Sequence, residues 1–169
     1  MSRAFVKEAD ENSTAGDIPE RPLPAHTNYV TPRGREQLDL RMHELRQQRE
    51  QLKAVADSDA LAKQKLAEVE RDMRYYSAQT KRAIVVDPAA QSWDAVYFGA
   101  TVRIRGGDDA EHEFSIVGDD EADVGAGKIS WASPLAKAMI GAHLGDTVVW
   151  KRPAADTNVR IVAIDYPDA

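Results

Sequence analysis

Residues 38–83 read LDLRMHELRQQREQLKAVADSDALAKQKLAEVERDMRYYSAQTKRA, and two apolar seams run through them. Leu38, Met42, Leu45, Leu52 and Ala56 recur at spacings of four, three, seven and four, with Arg49 interrupting the series. Ala62, Leu66, Val69, Met73, Tyr76, Thr80 and Ala83 alternate four and three without a break. A mean spacing of about 3.5 on both arms is the heptad repeat of a coiled coil. The intervening faces (RQQREQLK, AKQK, ERDMR) are too polar for helices lying on a globular core. Between the arms, the short polar side chains of Asp57-Ser58-Asp59 favour a turn and an N-cap over continued helix. The pattern predicts two helices of roughly 25 residues, about 37 Å each, packed antiparallel as a hairpin.

Upstream of the hairpin, Val30-Thr31-Pro32 reads as a helix start, with Thr31 as cap and Pro32 at the first helical position. The stretch before it is polar and broken by Pro19, Pro22 and Pro24, so residues 1–28 are expected to be a mobile tail. Downstream, the apolar period changes to two. Residues 100–105 and 112–117 alternate around the turn Gly106-Gly107-Asp108-Asp109, and residues 128–131, 146–151 and 159–164 supply three more strands. Ser133-Pro134 opens a helix of one to two turns that Gly141 closes. The fold class is therefore α+β: a hairpin over 29–84, then a small antiparallel sheet domain with one short helix over 85–169.

The chain has 169 residues and no cysteine, which removes disulfides, thiolate metal sites and cysteine nucleophiles. No run of about 18 apolar residues occurs and the N-terminus lacks a signal-peptide stretch, so a cytoplasmic protein with no membrane contact is expected. The net charge of -6 argues against a general nucleic-acid coat. Its distribution says more. Residues 31–83 carry 12 basic and 9 acidic side chains, whereas residues 84–169 carry 7 basic and 14 acidic ones. A basic hairpin beside an acidic sheet domain points to modules that meet different partners.

Neither module holds an enzyme signature. His26, His43, His112 and His143 have no metal-ligand spacing, and no nucleophile-elbow or phosphate-loop pattern occurs, so no metal site is predicted. Val124-Gly125-Ala126-Gly127 follows acids and reads as a turn. The densest charge cluster, Asp119-Asp120-Glu121-Ala122-Asp123, is open to three readings: a solvated loop, a weak divalent site or a docking patch for arginines. Asp57 and Asp59 are either caps or carboxylates that could reach a magnesium ion in another protein's site.

The motifs Phe98-Gly99-Ala100-Thr101-Val102, Ile116-Val117-Gly118-Asp119-Asp120-Glu121-Ala122-Asp123, Ile129-Ser130, Ser133-Pro134-Leu135-Ala136 and Ile140-Gly141 resemble, in order and spacing, the Gre family of bacterial transcript-cleavage and elongation factors (GreA/GreB). Asn28-Tyr29-Val30-Thr31-Pro32-Arg33-Gly34 is similar to the family's opening of the first helix. The resemblance implies an FKBP-like sheet domain without isomerase activity. It also implies docking at the rim of RNA polymerase's secondary channel, the hairpin reaching toward the active centre, and a cytoplasmic, DNA-binding role in transcription. Such a protein is not an enzyme and holds no stable cofactor. Its tip carboxylates, here Asp57 and Asp59, would act beside the polymerase's active-site magnesium while the polymerase cuts backtracked RNA.

On this resemblance Asp119, Asp120, Glu121, Asp123, Ser133, Pro134 and Leu135 are the polymerase-binding residues, forming one patch of carboxylates beside an apolar anchor. Arg46, Arg49, Lys53, Lys63 and Lys65 face the RNA 3′ end. The tip departs from the family's cleavage-competent sequence, and the hairpin is about a dozen residues shorter, or roughly 10 Å less reach at 1.5 Å per residue. In this it resembles Rnk, a polymerase-binding relative. Since a magnesium–carboxylate bond is only about 2.1 Å, a channel competitor without cleavage stimulation is the alternative. A coiled-coil adaptor that dimerises is a third reading, against the monomer expected of a Gre factor.

Overall fold

The computed structural model describes residues 18–167. Strand β1 (Tyr29–Val30) leads into helix α1 (Pro32–Lys53), a turn, helix α2 (Ala60–Arg82) and strand β2 (Ile84–Val85). The hydroxyl of Thr31 caps α1 by accepting from the Gly34 N–H at 2.9 Å, and Pro32 takes the first helical position. A carboxylate oxygen of Asp59 caps α2, accepting from the Leu61 and Ala62 N–H groups at 2.9 and 3.3 Å. With 22 and 23 residues, the helices are about 33 and 35 Å long. Leu38, Met42, Leu45 and Ala62 are buried along the seams, which pack on each other within the hairpin.

The sequence pattern does not anticipate how the hairpin is closed. Strands β1 and β2 pair in parallel, Tyr29 opposite Ile84 and Val30 opposite Val85. The chain thus enters and leaves the hairpin side by side.

The second unit is a five-stranded sheet of β3 (Thr101–Arg105), β4 (Glu111–Val117), β5 (Lys128–Ser130), β6 (Thr147–Trp150) and β7 (Thr157–Asp165) in the order β5-β4-β3-β7-β6. Helix α3 (Pro134–Met139) covers one face. Val102, Ile104, Ile116, Val159 and Ile161 from the strands meet Leu135, Ala136 and Met139 of α3 in the core, with Val96 and Phe98 from the preceding loop. The α+β expectation holds. One pairing differs from the antiparallel sheet expected, because β4 and β5 run parallel. A parallel neighbour cannot be reached by a tight hairpin turn, so residues 118–127 form a crossover outside the sheet edge. The acidic run lies in that crossover.

Residues 18–28 also differ from the expected mobile tail. They lie along α2, held by side-chain and backbone contacts described below; residues 1–17 fall outside the described part. No helix among the described residues is long and apolar enough to cross a membrane.

Candidate functional site

Asp119, Asp120 and Glu121 make one 3-10 turn after Gly118, and each carboxylate holds a different segment of the chain. Asp119 lies 2.6 Å from Nε2 of His26 and accepts from the Ser130 hydroxyl at 2.5 Å. Asp120 accepts from the Tyr75 hydroxyl at 3.0 Å and from Nε2 of Gln79 at 2.7 Å. Glu121 accepts from the Thr31 hydroxyl at 2.7 Å, the same hydroxyl that caps α1. One turn of the sheet domain therefore grips the N-terminal segment, α2 and the start of α1.

The surroundings of this turn are shaped for close contact. Gln79 is fully buried, so its amide depends on the Asp120 carboxylate. Burial first, and then the negative charge of Asp120, push the Tyr75 phenol up to about 12. Gly118 is needed because a Cβ there would sit 2.5 Å from the Tyr29 carbonyl oxygen, a backbone atom that cannot step aside. Its absence lets β1 run directly over the turn.

The residues expected to form the docking patch differ in their surroundings. Asp119, Asp120 and Glu121 are half-buried, and both oxygens of Asp119 and Asp120 and one of Glu121 are engaged inside the chain. Leu135 is not an exposed apolar anchor, because α3 turns it into the core with only 4% of its surface exposed. The other residues of the set face outward to different degrees. Asp123 is exposed and accepts from the Ala126 N–H at 3.3 Å. Ser133 caps α3 through the Ala136 N–H, and Pro134 is exposed.

At the far end of the hairpin, residues 54–58 form the tip turn, which Ser58 tightens by donating to the Val55 carbonyl. Asp57 is exposed and has no hydrogen-bonded partner among the described residues, whereas Asp59 is the cap of α2. The two carboxylates the sequence singled out are thus unequal. No group of three acidic or histidine side chains that could hold a metal occurs among the described residues.

The basic residues divide between the two sides of the helix pair. Arg46 and Arg49 line a groove of about 590 Å³ with Arg74 and Lys81, floored by Met42 and Met73 and carrying one acid, Glu70. Lys65 lines a second groove with Gln48, Gln51, Leu52, Glu68 and Val69. At 100° per residue, Arg46 lies to one side of the α1 seam, Arg49 within it, and Gln48 and Gln51 on the other side. Of the five residues expected to face RNA, Arg46 and Arg49 line the first groove and Lys65 the second. Arg49 is also paired with Glu50 at 2.8 Å, while Lys53 and Lys63 are exposed near the tip.

The family described as "Transcription elongation factor, GreA/GreB, C-term" matches residues 90–166. Transcription elongation factor GreB of Neisseria meningitidis serogroup A is 33% identical over 153 residues, covering 82% of this chain and 94% of that protein. The chain belongs to the GreA/GreB family. Transcription elongation factor GreA of Thermodesulfovibrio yellowstonii is 42% identical over 106 residues, which cover 62% of this chain and 67% of its own. Among solved structures, a prokaryotic GreA/GreB factor from Nitrosomonas europaea is 26% identical, covering 82% of this chain and 99% of that one, with a TM-score of 0.40.

Within this Gre-family elongation factor, the partners of the acidic turn were not legible as site residues. Gln79 lies off the α2 seam, and nothing in its neighbourhood marks it for burial. The tandem Tyr75-Tyr76 on an otherwise wet helix was the available signal, since a second aromatic beside a seam residue needs a surface to cover it. Its spacing from the other histidines excludes His26 from a metal site and gives no other role to it. It is a hydrogen-bonding partner of Asp119 instead.

Proposed function

We propose that this Gre-family factor binds RNA polymerase at the rim of the secondary channel and regulates elongation with its hairpin inserted toward the active centre. The observation that carries the reading is the placement of an exposed carboxylate, Asp57, at the end of a rod about 33 Å long whose base is fixed to the sheet domain. In this arrangement the protein has no reaction of its own. It brings a negative charge to the polymerase's magnesium and leaves the cutting of backtracked RNA to the polymerase. Asp123, Ser133 and Pro134 supply the outward-facing contacts on the rim, while Asp119, Asp120 and Glu121 serve docking indirectly by holding the hairpin at its angle. Arg46 and Arg49, with Arg74 and Lys81, offer a cationic groove to an extruded RNA 3′ end.

A second reading, a channel occupant that does not stimulate cleavage, is favoured by the tip itself. Asp59 is tied to two backbone N–H groups, so Asp57 is the one tip carboxylate without such a tie. Cleavage of RNA in a stalled, backtracked complex separates the two readings. Stimulation that is lost in Asp57→Ala supports carboxylate delivery. No stimulation, with displacement of a full-length cleavage factor, supports occupancy. A chain that neither binds polymerase nor alters its elongation refutes both.

A further inference from the structure

We infer that residues 18–27 are a clamp that sets the angle of the hairpin on the sheet domain, with Arg21 and His26 as its positioning residues. The inference concerns the free protein and does not rest on the polymerase reading. The segment runs beside the outer face of α2 and is attached at four points. Glu20 pairs with Arg74, whose Nε donates to it at 3.0 Å. The Arg21 guanidinium stacks over Tyr75 at 3.9 Å from the ring centre, lies 5.1 Å from that of Tyr76 and is 3.6 Å from Asp72. Arg82 reaches back and donates to the Pro24 and His26 carbonyls at 2.8 and 2.6 Å. The fourth attachment leaves the hairpin altogether. His26 binds Asp119 and meets the Trp131 ring edge-on at 5.3 Å, both in the sheet domain.

A passive tail would touch one body. This one bridges two, through contacts that require direction: a guanidinium stacked on an aromatic face, a second guanidinium reading two carbonyls, and an imidazole hydrogen-bonded to a carboxylate. It also completes the acidic turn, since Asp119 would otherwise keep only its Ser130 bond. The geometry gives the clamp leverage. The hairpin is about 33 Å long, so a swing of about 10° at its base moves the tip by about 6 Å. Small slack at the clamp becomes a large displacement of Asp57.

The absence of cysteine makes the test clean, because two introduced thiols are the only ones in the chain. Gln64→Cys near the tip on α2 and Lys137→Cys on α3 are both exposed and carry nitroxide labels for pulsed dipolar spectroscopy on the full chain. The otherwise unaltered chain should give one narrow distance distribution. Arg21→Ala with His26→Ala should at least double its width or shift its mean by about 5 Å, the displacement a 10° swing produces at residue 64. Circular dichroism reads whether the helices persist in that variant. The single change Arg21→Ala keeps the test readable should the double variant unfold, and Arg21→Lys, which retains a cation over Tyr75, should restore the narrow distribution. Distributions unchanged in a folded Arg21→Ala or double variant overturn the clamp. A broadening that Arg21→Lys fails to reverse overturns the stacked cation as its positioning element.

Discussion

Replacing Asp120 by alanine tests whether the acidic turn is a fastening or a surface patch. The carboxylate accepts from Gln79 at 2.7 Å and from Tyr75 at 3.0 Å, and Gln79 has no exposed surface. Alanine leaves the Gln79 Nε2 donor buried with only a 3.4 Å contact to the Tyr75 oxygen. An abandoned buried donor costs roughly 1–3 kcal/mol, and the lost bond from Tyr75 adds about 1 kcal/mol. The expected destabilisation is about 3 kcal/mol. For a chain of this size that lowers the melting temperature by about 6–12 °C, with the larger share of the loss in helix–sheet contacts. An exposed docking carboxylate would change stability by less than about 0.5 kcal/mol. Thermal and urea unfolding of Asp120→Ala, alone and combined with Tyr75→Phe, measure both the total and the coupling between the partners. A loss under about 0.5 kcal/mol with additive single changes refutes the fastening.

Three further outcomes are expected. Gly118→Ala forces a methyl against the Tyr29 carbonyl and should cost about 1–3 kcal/mol; amide exchange at Ile84 and Val86, which donate to Asn28 and Val30, should accelerate, and unchanged exchange there contradicts the close approach. The Tyr75 phenol, held up to about 12 in the folded chain against an ordinary value near 10, contributes stability that is intact below pH 10 and lost as pH rises from 10 to 12. Solvent screening limits that loss to about 1 kcal/mol, and the late part of the tyrosinate absorbance change, to which Tyr166 also contributes because burial raises it, should move downward in Asp120→Asn and lose that response when Tyr75→Phe is added. At the tip, Asp59→Ala should cost about 1 kcal/mol through loss of the α2 cap, whereas Asp57→Ala should stay within about 0.5 kcal/mol; equal costs by urea unfolding would contradict the difference between them.

What could be read from the residues alone was whatever repeats or caps locally. Thr31, Asp59 and Ser133 were legible as caps because an oxygen two or three residues before an apolar period has one ready use. The seams and the alternating strands were legible for the same reason, since their information lies within one or two turns of chain. The junction was not. His26 meets Asp119 across 93 residues and Thr31 meets Glu121 across 90, distances over which periodicity carries no signal. The acidic run advertised charge without saying whether the charge faced out or in. Leu135 misled differently: a helix of six residues is too short for its apolar face to be told from a partner-facing one. The parallel pairing of β4 with β5 was hidden because a ten-residue connection with two glycine turns looks the same whichever way the strand returns.

The parallel pair β1–β2 brings the two ends of the hairpin within one strand spacing of each other, about 4.8 Å. Everything between Thr31 and Ala83 is therefore an insert hung on a closed hinge plate, and its length is independent of its mounting. Adding or removing one heptad from each arm changes the reach by about 10 Å while preserving the seam register and leaving β1 and β2 in register. Reach becomes a quantity that insertion and deletion can adjust in steps, like the notches of a ruler, without rebuilding the fold that carries it.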